Sequence, residues 1–150
     1  MHPRKLTSLA LVLAGLAAGA SACTDDTPSR ADFTASANEL CRSANAKIAA
    51  IPEPSDVDGL KTYITKLKAV TAASVDDFAE LEAPAEMRGD AEAYVANGRR
   101  VVALADRLAA AATSSDQTAM EALQAEGDRL DADSDERAAA MGLTDCANDA

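Results

Sequence analysis

Apolar residues in this chain recur at alternating steps of three and four, with proline or polar breaks between the runs. The breaks are the Pro52–Pro54 segment, Pro84 and the Thr113–Ser115 segment. Such a period places the apolar side chains of each run on one face of a helix. Since no strand-like alternation occurs, the pattern predicts helices at about residues 31–51, 56–82, 85–112 and 116–141.

Signals for helix starts support these bounds. Three of the helices are preceded by a serine that stands three residues before an acid or an amide, which is the spacing of a capping box. Pro84 is expected in the first turn of the third helix, because its fixed φ suits that position, and Gly142 is expected to end the fourth. The serine pairs are Ser29 with Asp32, Ser55 with Asp58, and Ser114 with Gln117.

The connections between these helices are short, and short connections force consecutive helices to lie antiparallel. The predicted fold is therefore an all-α, up-down-up-down four-helix bundle. It forms one domain over residues 31–146, followed by a tail at 147–150. No internal repeat and no second domain are evident in the sequence.

The first 22 residues have the composition of an export signal. A basic start at residues 4–5 precedes an apolar run over 6–20, and small residues at 20–22 stand directly before Cys23. The apolar run is shorter than the roughly 20 residues that a membrane-spanning helix needs. We therefore interpret this segment as a secretory signal peptide.

A cysteine as the first mature residue favours a bacterial lipoprotein, since its thiol is available for diacylglycerol modification. Residues 23–30 would then hold the lipidated Cys23 and a short polar tether, with the protein anchored to the outer face of the cell membrane. Plain secretion is the alternative, because Ala20 stands where such signals usually carry leucine and residues 20–22 also fit an A-x-A cleavage site. With three cysteines in the chain, plain secretion leaves one thiol unpaired in an oxidising compartment, which favours lipidation.

Cys41 and Cys146 remain as the pair available for a disulfide in the mature chain. Cys41 lies within the first predicted helix and Cys146 just after the fourth, and these two helices are neighbours in an up-down bundle. A turn at Gly142 brings the tail back across the first helix, so we predict a structural disulfide that closes the bundle. Neither cysteine belongs to a C-x-x-C motif, which argues against a redox role.

The chain is acidic, with a formal net charge of −11, and residues 1–22 contain basic but no acidic side chains. Such a surface repels nucleic acid. The single histidine is His2, so the mature chain lacks the imidazole of a Ser-His-Asp or Cys-His nucleophile system and of His-ligated metals. We expect a non-enzymatic protein without a cofactor or a metal site.

One acidic segment has the opening spacing of an EF-hand calcium loop. Asp131, Asp133 and Asp135 follow that spacing. However, Glu136 stands where the loop needs its turn glycine, and Gly142 stands where it needs the bidentate glutamate. We interpret these acids as a solvated helix face.

Two glycines interrupt the third and fourth helices at similar distances from the 113–115 connection. Gly98 and Gly127 are expected to meet on antiparallel neighbours, with Thr71 and Ala37 near the same level. Mid-helix glycine costs about 1 kcal/mol relative to alanine, so this layer of small residues is a candidate site. Either the helices approach closely there, which we favour, or a small cavity remains. The lining expected for a cavity is Tyr94, Leu67 and Leu130.

The chain combines an aromatic residue and a cysteine in the first mature helix with proline-flanked turns and a terminal G-L-x-x-C motif. The residues concerned are Phe33, Cys41, Pro52, Pro54, Pro84 and 142–146. In these features it resembles the small alanine-rich lipoproteins and secreted proteins of actinobacteria, a group of unknown function. The resemblance covers roughly residues 33–146 and implies a disulfide-closed helical bundle in the cell envelope, without any activity.

Two functions fit these features. The first is a lipid-anchored, non-enzymatic, extracytoplasmic bundle whose acidic surface interacts with another envelope component, such as a basic protein segment or a cation-rich polymer. The alternative is a carrier or sensor of a small apolar ligand held in the mid-bundle layer. A cavity in that layer favours the ligand, whereas a solid core with the acids concentrated on one face favours the envelope partner.

Overall fold

The computed structural model describes residues 27–147, and these form four α-helices. α1 spans Arg30–Ala49, α2 spans Val57–Ala79, α3 spans Arg88–Ser114 and α4 spans Gln117–Met141. No strand occurs in this part of the chain. The predicted all-α fold with four helices is confirmed.

The predictions for the amino terminus concern residues outside this description. They are the signal peptide at 1–22, the lipidation of Cys23 and the first half of the segment at 23–30. Residues 148–150 of the predicted tail also lie outside the described residues.

Side-chain caps explain where the first two helices begin. The hydroxyl of Ser29 accepts a hydrogen bond from the amide of Asp32 at 3.2 Å, as the sequence predicts. At α2 the cap is Asp56, whose carboxylate accepts from the amide of Gly59 at 2.6 Å. The predicted cap at Ser55 is therefore one residue off, because a carboxylate at Asp56 both accepts this bond and interacts favourably with the positive end of the helix.

The start of α3 also differs from the prediction. Residues 84–87 form a turn in which the amide of Met87 donates to the carbonyl of Pro84 at 2.9 Å. The regular helix begins only at Arg88. Pro84 thus precedes the helix instead of occupying its first turn.

The connection between α3 and α4 is tighter than the sequence predicts. α3 continues to Ser114, and Ser115 takes the left-handed conformation with a φ of 54°. Asp116 already caps α4, since its carboxylate accepts from the amide of Ala119 at 2.9 Å. Ser114 therefore lies inside α3 and is not the predicted cap of α4, and the chain reverses at Ser115 and Asp116.

Consecutive helices run in alternate directions. Between neighbouring helices, paired residues with higher numbers in one helix have partners with lower numbers in the next, which is the order expected for antiparallel packing. Between α2 and α3 the pairs are Lys68 with Asp106 and Phe78 with Tyr94, and between α3 and α4 they are Arg107 with Glu126 and Asp90 with Arg137.

The most tightly packed part of the core lies at the end of the bundle that holds the start of α1 and the end of α4. The ring of Phe33 meets the ring of Phe78 edge to face with 6.0 Å between centroids, and Phe78 lies 4.8 Å from Tyr94. Met141 and Leu143 are wholly buried in the same cluster. Burial of each such side chain stabilises the fold by about 1.5–3 kcal/mol.

The predicted disulfide between Cys41 and Cys146 is present, with 5.0 Å between the Cα atoms. α4 ends at Gly142, whose φ of 75° turns the chain back towards α1. The tail is also held by Asp145, whose carboxylate lies 2.9 Å from the guanidinium of Arg42. The disulfide therefore fastens the last residues of the fold to its first helix. None of the helices within residues 27–147 is long and apolar enough to cross a membrane.

Candidate ligand-binding cavity

The helices α1 and α4 do not pack along their length in the described structure, whereas consecutive helices do. α1 is joined to the end of α4 and to the tail. Arg30 donates to the carbonyl of Ala140 at 3.2 Å, and Thr34 donates to the carbonyl of Met141 at 3.4 Å. Further along α1, the disulfide joins Cys41 to Cys146. Beyond this end the four helices enclose a partly open cavity of about 340 Å³.

The cavity has a mainly apolar wall to which all four helices contribute. The disulfide bond between Cys41 and Cys146 also lines it. Its volume falls within the range of roughly 300–1,000 Å³ that is typical of small-molecule sites. The largest apolar lining residues are Ile48, Leu67, Val75, Tyr94, Val101 and Val102.

Only a few polar groups line the cavity. Two of them are charged, Lys68 on α2 and Asp131 on α4. The ammonium group of Lys68 is held by both carboxylate oxygens of Asp106, at 2.6 and 2.8 Å. The uncharged polar lining residues are Asn45, Thr71, Ser74 and Ser134.

Two titratable groups of the wall have shifted pKa values. Partial burial raises the pKa of Asp131, and the negative charges of Asp135 and Asp128 raise it further. Burial likewise raises the pKa of the Tyr94 hydroxyl, with a second contribution from Asp135. The cavity therefore disfavours additional negative charge along its α4 side.

The four small residues of the predicted mid-bundle layer do not come together. Thr71 and Gly98 both line the cavity. Ala37 is wholly buried in the core cluster at the disulfide end. A methyl group added at Gly127 would lie 3.4 Å from Leu104 of α3, in ordinary contact.

The register of α3 against α4 explains this difference. The side-chain amide of Asn97, which is only 3% exposed, donates to the carbonyl of Leu130 at 3.3 Å and to Asp133 at 2.5 Å. Gly98 is therefore roughly level with residues 130–134 of α4, about one to two helical turns beyond Gly127. The predicted chain reversal lies at 113–115, whereas the observed reversal lies at Ser115 and Asp116. This shift changes which residues of α3 and α4 are level with each other.

Gly98 is a point of close helix approach as well as a part of the cavity wall. A methyl group added at Gly98 would overlap the Cγ2 atom of Val75 on α2. The close contact therefore forms between α2 and α3, and Val75 and Gly98 both line the cavity as well. Of the three lining residues expected from the sequence, Tyr94 and Leu67 line the cavity, whereas Leu130 is buried elsewhere.

Sequence reasoning missed several residues of the wall. Ile48 belongs to the apolar stripe of α1, but nothing in that stripe indicates that its last turns lack a partner on α4. Asn45 and Asp131 are exposed residues that also border the cavity, and neither of them is assigned to a site from the sequence. The signal for Asp131 is its i,i+3 and i,i+4 spacing from Asp128 and Asp135, which places the three acids on one helix face.

Two shallower depressions of about 500 Å³ each lie on the outer surface. Both are more open than the mid-bundle cavity, and charged residues make up a larger part of their lining. No group of three or more potential metal ligands gathers within residues 27–147. The charged lining residues are Glu82, Arg88, Glu92 and Arg99 in one depression and Arg100, Glu126, Arg129 and Asp133 in the other.

Comparisons of the chain with protein-family models, with curated proteins and with solved structures find no match. The resemblance to alanine-rich actinobacterial lipoproteins therefore stays a prediction from sequence motifs. The cavity between the four helices is the feature of the structure that indicates a function.

Proposed function

We propose that this protein is a lipid-anchored, non-enzymatic, extracytoplasmic carrier or sensor that binds a small, mainly apolar molecule between its four helices. The observation that carries the proposal is the cavity of about 340 Å³ with its largely apolar wall. Side chains that line a void lack partner atoms on one side and lose dispersion contacts. An apolar molecule that fills the void restores these contacts, so its binding is favourable.

The cavity favours this function over an interaction through the acidic surface. An alanine-rich bundle that served only as a surface scaffold would gain stability by closing α1 against α4. Here α1 and α4 do not pack along their length, and the cavity lies among the four helices. Interaction with a basic envelope protein or polymer stays a prediction from the charge of the sequence.

The walls of the cavity are held in place before any ligand binds. Tyr94 packs on Phe78 within the core, and the disulfide fixes the position of α1 next to the tail. A preformed site avoids the entropic cost of ordering the protein during binding. This favours reversible capture of a compact molecule.

The anchor is proposed from the signal segment and from Cys23, whose thiol is the first group of the mature chain. A lipid at this position would keep the bundle at the outer face of the cell membrane. The intact mass of protein from the membrane fraction tests this proposal. A mass increase that matches lipid on Cys23 supports the anchor, and an unmodified Cys23 in protein released to the medium contradicts it.

Ligand binding is tested with Ala44→Leu, because Ala44 lies on the cavity wall. Leucine is a good helix former, and its added carbons fill part of the cavity. The matched control is Ala46→Leu, at an exposed position of α1 that does not line the cavity. The probe is 1-naphthylmethanol, a neutral, compact and intrinsically fluorescent molecule, titrated into the disulfide-bonded protein.

We expect saturable binding by wild type and by Ala46→Leu, and a loss of binding of tenfold or more in Ala44→Leu. Melting temperatures of all three proteins check that the fold is retained. Absence of binding by wild type, or equal binding by a folded Ala44→Leu variant, contradicts the proposed function.

A further inference from the structure

Two charged side chains line the cavity, and only one of them forms a salt bridge within the described part of the protein. α1 and α3 contribute no charged side chain to the wall, α2 contributes Lys68 and α4 contributes Asp131. Lys68 already has Asp106 at salt-bridge distance through both carboxylate oxygens. Its positive charge is therefore matched within the protein.

Asp131, unlike Lys68, has no partner of opposite charge among the residues that the structure describes. Among residues 27–147 it has no salt bridge and no side-chain hydrogen bond. Its strongest charge interactions are repulsive, with Asp135 and Asp128 on the same face of α4. Asp131 is an exposed residue at the edge of the cavity, and partial burial together with these repulsions raises its pKa. A positive charge in the cavity would relieve this repulsion.

An aromatic ring stands in the same wall. Tyr94 of α3 lines the cavity, as do Asp131 and Ser134 of α4. The face of an aromatic ring attracts organic cations, most strongly where water is excluded. Burial raises the pKa of the Tyr94 hydroxyl, and the negative charge of Asp135 raises it further.

We propose that the ligand of this cavity is an amphipathic organic cation, an amine on a compact apolar body, with the amine at Asp131 and the apolar body against Ile48, Leu67 and Val101. This inference rests on the proposed function and adds the charge of the ligand to it. Charge complementarity at Asp131 selects cations, and the remaining wall selects the apolar body. A carboxylate or phosphate ligand would meet the acids of α4 and be repelled.

The experiment compares three molecules that share one ring and differ in charge. They are 1-naphthylmethylamine, 1-naphthylmethanol and 1-naphthoic acid, which are cationic, neutral and anionic at pH 7. Each is titrated into wild type, Asp131→Asn and Glu136→Gln, with fluorescence as the readout. Glu136 is the control, because it is an exposed carboxylate on α4 that does not line the cavity.

We expect wild type to bind the amine about tenfold more tightly than the alcohol, which is the scale of one hydrogen bond to a charged group, and to bind the acid more weakly than either. Asp131→Asn should remove the preference for the amine while keeping the affinity for the alcohol, and Glu136→Gln should behave as wild type. If the alcohol binds but the amine does not bind more tightly, or if Asp131→Asn keeps the preference, the charge inference is wrong and the ligand-binding function stands. If none of the three molecules binds, both proposals are overturned.

Discussion

Asp131 is a residue whose surroundings oppose its charge. It lines a mainly apolar cavity, and two further acids lie on the same helix face. Both features raise its pKa, with partial burial as the first cause. The folded state therefore holds a proton on this group more readily than the unfolded state does.

This shift predicts how stability depends on pH. Because the folded pKa exceeds the unfolded value, the free energy of unfolding falls as pH rises from the ordinary carboxyl value of 3.8 through the raised folded value. Well below 3.8 both states are protonated and the penalty is absent, whereas at neutral pH it is fully present. Asp131→Asn should therefore raise the melting temperature at pH 7 and give no comparable gain at pH 3.

The control for this experiment is again Glu136→Gln, which removes one exposed carboxylate from the same helix. Thermal unfolding of the three proteins at pH 3 and pH 7 provides the comparison. A melting temperature of Asp131→Asn at or below that of wild type at pH 7 would show that the carboxylate is not disfavoured.

At the scale of helices, the two mid-helix glycines have different surroundings although their sequence contexts look alike. Gly98 faces Val75 so closely that an added methyl group would overlap it, whereas the nearest atom to such a group at Gly127 is at 3.4 Å. The close approach of α2 and α3 therefore requires a residue without a side chain at position 98. Gly98 meets α2 and Gly127 meets α3, so the two glycines belong to different helix pairs.

These surroundings predict different effects of an alanine substitution at the two glycines. Gly127→Ala should raise the free energy of unfolding by about 1 kcal/mol, because alanine is the better helix former and has room. At Gly98→Ala the overlap with Val75 should cancel that gain, and Gly98→Leu should lower the free energy of unfolding by about 1–3 kcal/mol through overpacking. Chemical denaturation measures all three, and equal stabilisation by the two alanine variants would mean that α2 and α3 do not approach closely at Gly98.

The helices themselves are largely predictable from the sequence, and their register is not. The three-and-four spacing and the breaks at Pro52–Pro54 and Pro84 give the number of helices, and Ser29 gives the start of α1. The caps at Asp56 and Asp116 were missed because a serine stands nearby and offers the same chemistry. The chain reversal was predicted too early in the sequence. That error shifts the predicted pairing of residues along the whole length of α3 and α4, which is why Gly98 and Gly127 do not meet.

At the scale of the whole molecule, the disulfide compensates for the weak packing of α1 against α4. It joins residues separated by 105 positions, and closing a loop of this length stabilises a fold by about 4–5 kcal/mol in the chain-entropy model. Both of its cysteines also line the cavity. The bond therefore closes the bundle at one end and shapes the site beside it.

The disulfide was predictable because the predicted lipidation of Cys23 leaves Cys41 and Cys146 as the possible pair. The cavity was foreseen only as an alternative to close packing. Its position depends on how far α1 and α4 approach beyond the disulfide, and the apolar stripes of the two helices do not encode that distance. Ile48 and Asp131 become parts of one wall only through this packing.

The most direct test of the central claim locates a bound probe within the fold. Nuclear Overhauser effects between 1-naphthylmethanol and assigned methyl groups of the disulfide-bonded protein provide this location. The account predicts contacts with Ile48, Leu67 and Val101, and none with Leu123 or Val95, which lie outside the cavity lining. Contacts with Leu123 or Val95 in place of the cavity residues, or no contacts at saturating probe, would contradict it.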